Sequence, residues 1–425
     1  MIRKVIIVTA VILSGIYHIN AHTPAPPQEH VVAITGGTVN TVTQGVLQGG
    51  TVVFKDGVIT AVGINLDIHG GAEIIDAAGK YVYPGFIHGR SILGLMEVAR
   101  TTESTDIQEI GEINPNIRAH VAFHTASDHL PVAAVHGITT VVPTPRGSLL
   151  AGKLAAIMTD GWTWEDMIVK QDIGMALYWP SMNNSKQYSE NMQELQDAFD
   201  KARRYKHARM AALAGNAQHH PFDSRWEAMI PILRGEMPVF ITANGSKQIQ
   251  AAISWAEQEQ LNMVLVGSRD MGLVAPQLAQ KNIPVMLTGV ISGPARQWEG
   301  YDEAYKIPKL LHEAGVKFCI AGDAGAASAY RLPHHAAAAV AFGLPEEEAI
   351  KAITIHAAEI LGIDHVLGSI EVGKHATLII ADDNPLQIWS KIQQVFINGR
   401  KIDMSDKHKQ LFEHYMEKHS QKHPK

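Results

Sequence analysis

The chain has 425 residues, 46% hydrophobic and 18% charged, an ordinary globular composition with enough apolar material for a large core. A formal net charge of −6, with no long basic block outside the C-terminus, argues against nucleic acid as a partner. The single cysteine, Cys319, excludes an internal disulfide or a thiolate metal cluster, and in its apolar run it reads as a small buried hydrophobe.

At the N-terminus Arg3 and Lys4 precede an apolar stretch, Val5 to Ile16, followed by small and polar residues ending at Ala21. This is the pattern of an export signal, cleaved near Ala21 or retained as an anchor, and in a bacterial cell it leads to the periplasm. The stretch is shorter than the about 20 residues a membrane span needs, and no other run is long and apolar enough. Residues 22–30, with three prolines, read as a linker.

Short strands with tight turns are expected over 31–82. Thr51–Phe54 and Val58–Gly63 flank Asp56-Gly57, a strong hairpin signal. From 83 to 365 the pattern changes. Strand-like runs at Ile138–Val142, Met175–Tyr178, Val239–Thr242, Met263–Val266, Val285–Leu287 and Phe318–Ala321 alternate with amphipathic stretches such as Ser246–Glu259. That alternation predicts α/β architecture, a TIM-type (β/α)8 barrel by its length. A doubly wound sheet is the alternative, but no Gly-x-Gly-x-x-Gly follows a strand. Strand chemistry returns over 366–402, so the two ends are expected to form one composite β-sandwich domain. Residues 403–425 read as a charged helix and tail.

Two motifs carry a family likeness. Tyr83-Pro84-Gly85-Phe86-Ile87 resembles the entry motif Pro-Gly-Phe-Ile-Asp-x-His-x-His of the amidohydrolase superfamily. Ala357 to Gly362 and Gly368 to Leu378 are similar to its Ala-x-x-Leu-Gly…Gly-Ser-Ile-x-x-Gly-Lys ending. The imidazolonepropionase-like branch, which includes exported members, is the nearest likeness. The resemblance implies a hydrolase of amide, cyclic amide or dipeptide-like C–N bonds. Its one or two divalent metals, zinc or a similar ion, sit at the C-terminal mouth of the barrel and activate water.

The implied ligands are two His after strand 1, a Lys or Glu after strand 4, single His after strands 5 and 6, and an Asp after strand 8. This chain departs from most of them. The strand 1 positions fall on Arg90 and Ile92, strand 4 ends in Tyr178-Trp179, strand 5 offers Thr242, and strand 6 offers Gly267 or Ser268. Arginine has no lone pair to give and isoleucine has no donor atom. Only Asp323 keeps its place, so the usual metal site reads as lost.

Asp323 and His88 are the candidate catalytic residues. Arg90, Thr242, Asn244, Ser268 and His334 are candidates for substrate binding, with an ion pair between Arg90 and Asp323 as the structural alternative for the arginine. His120 and His124, four apart on an expected helix, are a weaker alternative metal pair. Two functions compete: the nominal hydrolase, and an inactive homologue that binds a small molecule at the mouth or assists an intact paralogue. A homodimer fits either.

Overall fold

The structure is a computed structural model that describes residues 22–68, 70–147, 149–215 and 220–422. The export pattern therefore lies outside the described residues. Among those described, no helix is long and apolar enough to cross a membrane.

The first sheet draws on both ends of the chain. Its strands are β1 (Val32–Asn40), β2 (Val46–Lys55), β3 (Val58–Ile64), β4 (Glu73–Asp76) and β5 (Tyr81–Pro84), joined after the barrel by β14 (Leu378–Ala381), β15 (Ile392–Ile397) and β16 (Arg400–Lys401). The order is β16-β15-β14-β5-β1-β2-β3, with β4 alongside β1. The β2–β3 hairpin turns on Asp56 and Gly57, both at positive φ, 50° and 78°, the backbone a two-residue reverse turn demands. β14 lies antiparallel to β5, with Leu378 opposite Pro84 and Ala381 opposite Tyr81, so the two motifs pair directly. Alternate side chains bury a core of Ile34, Val52, Phe54, Val82, Leu378 and Phe396.

The second sheet is the barrel: β6 (Phe86–Ser91), β7 (Ile138–Pro143), β8 (Leu150–Met158), β9 (Ile168–Tyr178), β10 (Val239–Thr242), β11 (Met263–Gly267), β12 (Val285–Thr288) and β13 (Phe318–Gly322), paired in chain order. It nearly closes where Ile92 N–H donates to Ala324 O at 2.8 Å, beside the ends of β6 and β13. Its interior is filled by Ile87, Val142, Phe240, Val264, Met286 and Cys319. Cys319 is fully buried and its thiol pKa is pushed up to about 12 by burial, as suits an inert core residue.

Three sequence expectations change. β8 runs antiparallel to both β7 and β9, so one position of the barrel is filled by a hairpin strand without a crossover helix. His120 and His124 do not share a helix: a 3-10 turn covers only Ala119–Ala122 and ends at Phe123. The segment read as a linker is anchored. Pro24 and Ala25 are buried, and Ala25 N–H points at both carboxylate oxygens of Asp160 at 3.3 Å. Asp160, itself buried, also pairs with Arg400 at 2.5 Å, and Arg400 donates to its backbone oxygen at 2.7 Å. One carboxylate thus ties the barrel, the N-terminal segment and β16 together.

Candidate functional site

The residues with chemistry gather where the barrel strands end. The register sets Tyr178, Thr242 and Val266 side by side on β9, β10 and β11. Arg90, Thr144, Phe240, Thr242, Val266 and Met286 are among the side chains that enclose the lumen beneath this rim. The space left is about 10 Å³. That is at or below what one water requires.

Ile92 is buried in the main hydrophobic core. Thr242 lines the closed lumen. A side chain at Gly267 would collide with the Ala243 carbonyl oxygen and lie 3.0 Å from Asn244 Oδ1, so this position excludes histidine sterically. Ser268 is held by Asn244, whose Oδ1 accepts from its backbone N–H at 3.0 Å and from its hydroxyl at 3.4 Å. The pair works as a local brace between β10 and β11.

Arg90 does not form the ion pair with Asp323 that was its structural alternative. A register shift between His88 and Ser91 turns the end of β6, and Arg90 Nη2 donates instead to the Tyr178 hydroxyl at 3.2 Å. Its guanidinium lies 5.8 Å from the Tyr178 ring centroid. The Tyr178 hydroxyl donates in turn to Pro145 O at 2.8 Å, which fixes the start of the loop carrying Arg146. Burial and the charge of Arg90 both lower the pKa of Arg146, with Tyr178 opposing them.

Asp323, just past β13, has a side chain 41% exposed at the rim. Its neighbour is His335, 1% exposed, on the helix Leu332–Ala341. His335 Nδ1 accepts from Ile291 N–H at 3.2 Å, which places the proton of the neutral ring on Nε2. Nε2 faces Asp323 Oδ2 at 3.6 Å, ion-pair range but too long for a hydrogen bond. Burial lowers the His335 pKa and Asp323 works against that shift. Nδ1 is engaged and Nε2 carries the proton without a hydrogen-bond partner, so the neutral ring has no lone pair free to act as a base.

His88 is fully buried against Gly322 and the Asp323 backbone. That backbone offsets part of the shift, yet neither ring nitrogen has a well-formed hydrogen bond. Burial lowers its pKa to about 4, helped by His335 and Arg90, so the ring is neutral near pH 7. A group sealed from solvent in this way does not suit the role of general base.

The remaining candidates stand apart. His334 is exposed, while its neighbour His335 faces Asp323. His120 is buried against the Trp164 ring, 4.9 Å between centroids, and His124 is exposed. Sequence reasoning missed His335, Arg146 and Tyr178. The signal for His335 was present: Leu332, His335, Ala336 and Ala339 share one helical face toward the barrel, which His334 does not. Arg146 follows a barrel strand, where site residues of this architecture concentrate.

A second depression of about 530 Å³ lies outside β11 and β12, walled by Leu273, Ile307, Leu310 and Trp298. Its rim is stiffened by Arg296, bidentate to Asp270 at 2.7 and 3.0 Å.

A catalytic zinc wants about three protein ligands. Among the described residues no group of three His, Cys, Asp or Glu side chains is placed to hold a metal ion. With arginine, isoleucine, threonine and glycine at the implied positions, the residues present do not fit the implied metal centre.

A family model described as the amidohydrolase family matches residues 278–402. Amidohydrolase tasK of Hapsidospora irregularis is 23% identical over 185 residues, 43% of this chain and 19% of that protein. An adenine deaminase of Desulforamulus reducens is 22% identical over 382 residues, 86% of this chain and 56% of that protein. The chain thus spans about a fifth and just over half the length of these curated relatives. Among solved structures, an amidohydrolase from Thermotoga maritima MSB8 superposes with a TM-score of 0.81 at 25% identity, covering 88% of this chain and 99% of that one.

Proposed function

The chain belongs to the amidohydrolase superfamily, and from that premise we propose that its barrel binds a small molecule at the mouth without performing the metal-assisted hydrolysis of C–N bonds. The observation that carries this reading is the donor set: Arg90, Ile92, Thr242 and Gly267 stand at the implied ligand positions, and among the described residues no group of three His, Cys, Asp or Glu side chains is placed to hold a metal ion. A fold supplies a scaffold, and its chemistry depends on the residues placed on it.

A ligand would meet Asp323, beside His335, on one side of the rim and Arg90 with Arg146 on the other. Asp323 is the one group of the implied hydrolytic machinery retained, and alone it has no metal-activated water to deprotonate. The charged, apolar and small-residue order of positions 3–21 supports an exported, periplasmic setting.

The test is turnover of amide, cyclic amide and dipeptide substrates with and without added zinc or manganese. The expected result is no hydrolysis above background in any arm. Metal-dependent hydrolysis abolished by Asp323→Asn would overturn the reading. Co-purification of a related chain that keeps its His-x-His would instead favour the partner-subunit form of an inactive homologue.

A further inference from the structure

We propose that the barrel mouth recognises a carboxylate on its ligand, held between the guanidinium groups of Arg90 and Arg146. The inference rests on the reading of the mouth as a ligand-binding site and names the chemistry of what binds there.

Arg90 and Arg146 are both half-buried and close enough for each to act on the other electrostatically. Two like charges drawn partly out of water repel, and each has lost hydration. Elsewhere the protein compensates its partly buried arginines. Arg203 pairs with Asp200 and Glu259, Arg209 with Glu227, Arg296 with Asp270 and Glu299, and Arg400 with Asp160. At the mouth this compensation is missing. Among the described residues no carboxylate lies within ion-pair distance of Arg90 or Arg146, and the polar neighbour that serves Arg90 is the Tyr178 hydroxyl. Asp323, the acidic group of the rim, faces His335 instead.

The geometry then selects the ligand. Tyr178 receives a hydrogen bond from Arg90 and spends its own proton on Pro145 O, so it holds Arg90 in place without neutralising it. The Arg146 backbone N–H is fixed on Ile107 O at 2.6 Å, which sets the base of that side chain. One guanidinium fork braced by Tyr178 and a second anchored at its backbone present N–H donors and no acceptor, the complement of a planar carboxylate. The lumen floor is closed, so the anion sits at the rim, where ligands of this barrel architecture bind. Arg90 also occupies a position where the resemblance implies a metal-binding histidine. The positive charge of the mouth is thus retained in a side chain that cannot hold a metal.

The experiment uses the full chain treated with a chelator, so that its outcome is independent of any metal-dependent turnover. Succinate and inorganic phosphate are titrated separately at low ionic strength, followed by calorimetry and by the thermal unfolding midpoint. The expected result is saturable succinate binding tighter than phosphate binding. Arg90→Gln and Arg146→Gln should each weaken it by about tenfold, the effect of losing one charge-assisted contact. Arg90→Lys, which keeps the charge but loses the fork, should fall between. Arg204→Gln, an exposed arginine on the helix Ser185–Leu213, should bind as the parent does. In the absence of ligand the two Gln variants should unfold no earlier than the parent, because each relieves repulsion; purely structural arginines would lower the midpoint instead. Absence of saturable succinate binding, phosphate binding as tight as succinate, or binding unchanged in both Gln variants would overturn the proposal.

Discussion

The two ends of the barrel strands contrast sharply. At the base, where β5 hands over to β6 and β14 pairs with β5, motif residues carry packing and hydrogen-bonding duties. Gly85 N–H donates to Thr377 O at 2.9 Å, and Phe86 N–H donates to Gly137 O at 2.8 Å. At the mouth, positions of the same family pattern carry Arg90, Ile92, Thr242 and Gly267, and the strands still pair in register around them. The base is constrained by the fold and the mouth by chemistry. The base can therefore keep the family likeness whatever residues stand at the mouth.

Mutations at the base should therefore cost far more stability than mutations at the mouth. The largest effect is expected from Arg400→Ala, which strands the buried Asp160 carboxylate and frees the N-terminal segment. Breaking one side of a buried pair costs about 3–5 kcal/mol, measurable by denaturant unfolding. A loss below about 1 kcal/mol would remove Asp160 from its place as the tie between sheet and barrel.

Gly85→Ala comes next. A methyl group there would lie 2.8 Å from Thr139 Cβ and nearer still to its hydroxyl, with buried backbone on both sides. Overpacking of this kind costs about 1–3 kcal/mol, here toward the upper end. An unchanged thermal midpoint would show that the base is looser than its contacts indicate.

The third expected effect depends on pH. His88 has a folded pKa of about 4 and an ordinary unfolded value near 6.5. Between those values the unfolded chain binds a proton that the folded chain refuses. The stability is fully present above pH 6.5 and falls as the pH drops toward 4, by on the order of 3 kcal/mol from this ring. Unfolding curves of His88→Gln across that window should lose most of this slope. A parallel slope in the variant would contradict the burial of an uncharged His88.

The smallest effect is expected from Asp323→Asn. Its side chain is half-exposed and makes no hydrogen bond short enough to matter for folding, so the change should stay within about 0.5 kcal/mol. Added zinc should leave both proteins' midpoints where they were. A zinc-dependent rise in the parent alone would reverse the contrast between the two ends.

Much of this was legible in the sequence because packing leaves marks in residue types. Asp56-Gly57 announced its hairpin, the βα alternation announced the barrel, and Gly85 with the Gly368–Leu378 run marked the composite sheet. β8 was not legible. Leu150–Met158 has an interior glycine and a lysine, and its identity depends on pairing antiparallel to two strands at once, which is tertiary information. The helix expected across His120 and His124 fails because Phe123 leaves helical backbone and turns into the core. At the mouth, residue types showed what was missing, but side-chain direction did not follow from spacing. The bulge at the end of β6 sends Arg90 to Tyr178 and away from Asp323, and helical phase chooses His335 over His334.

The central claim, that the barrel mouth has no place for the hydrolytic metal centre, is tested most directly by elemental analysis of the full chain purified with zinc and manganese supplied and then dialysed. The account predicts bound metal well below one ion per chain, unchanged in Asp323→Asn. One or two ions retained per chain, and lost in Asp323→Asn, would contradict it.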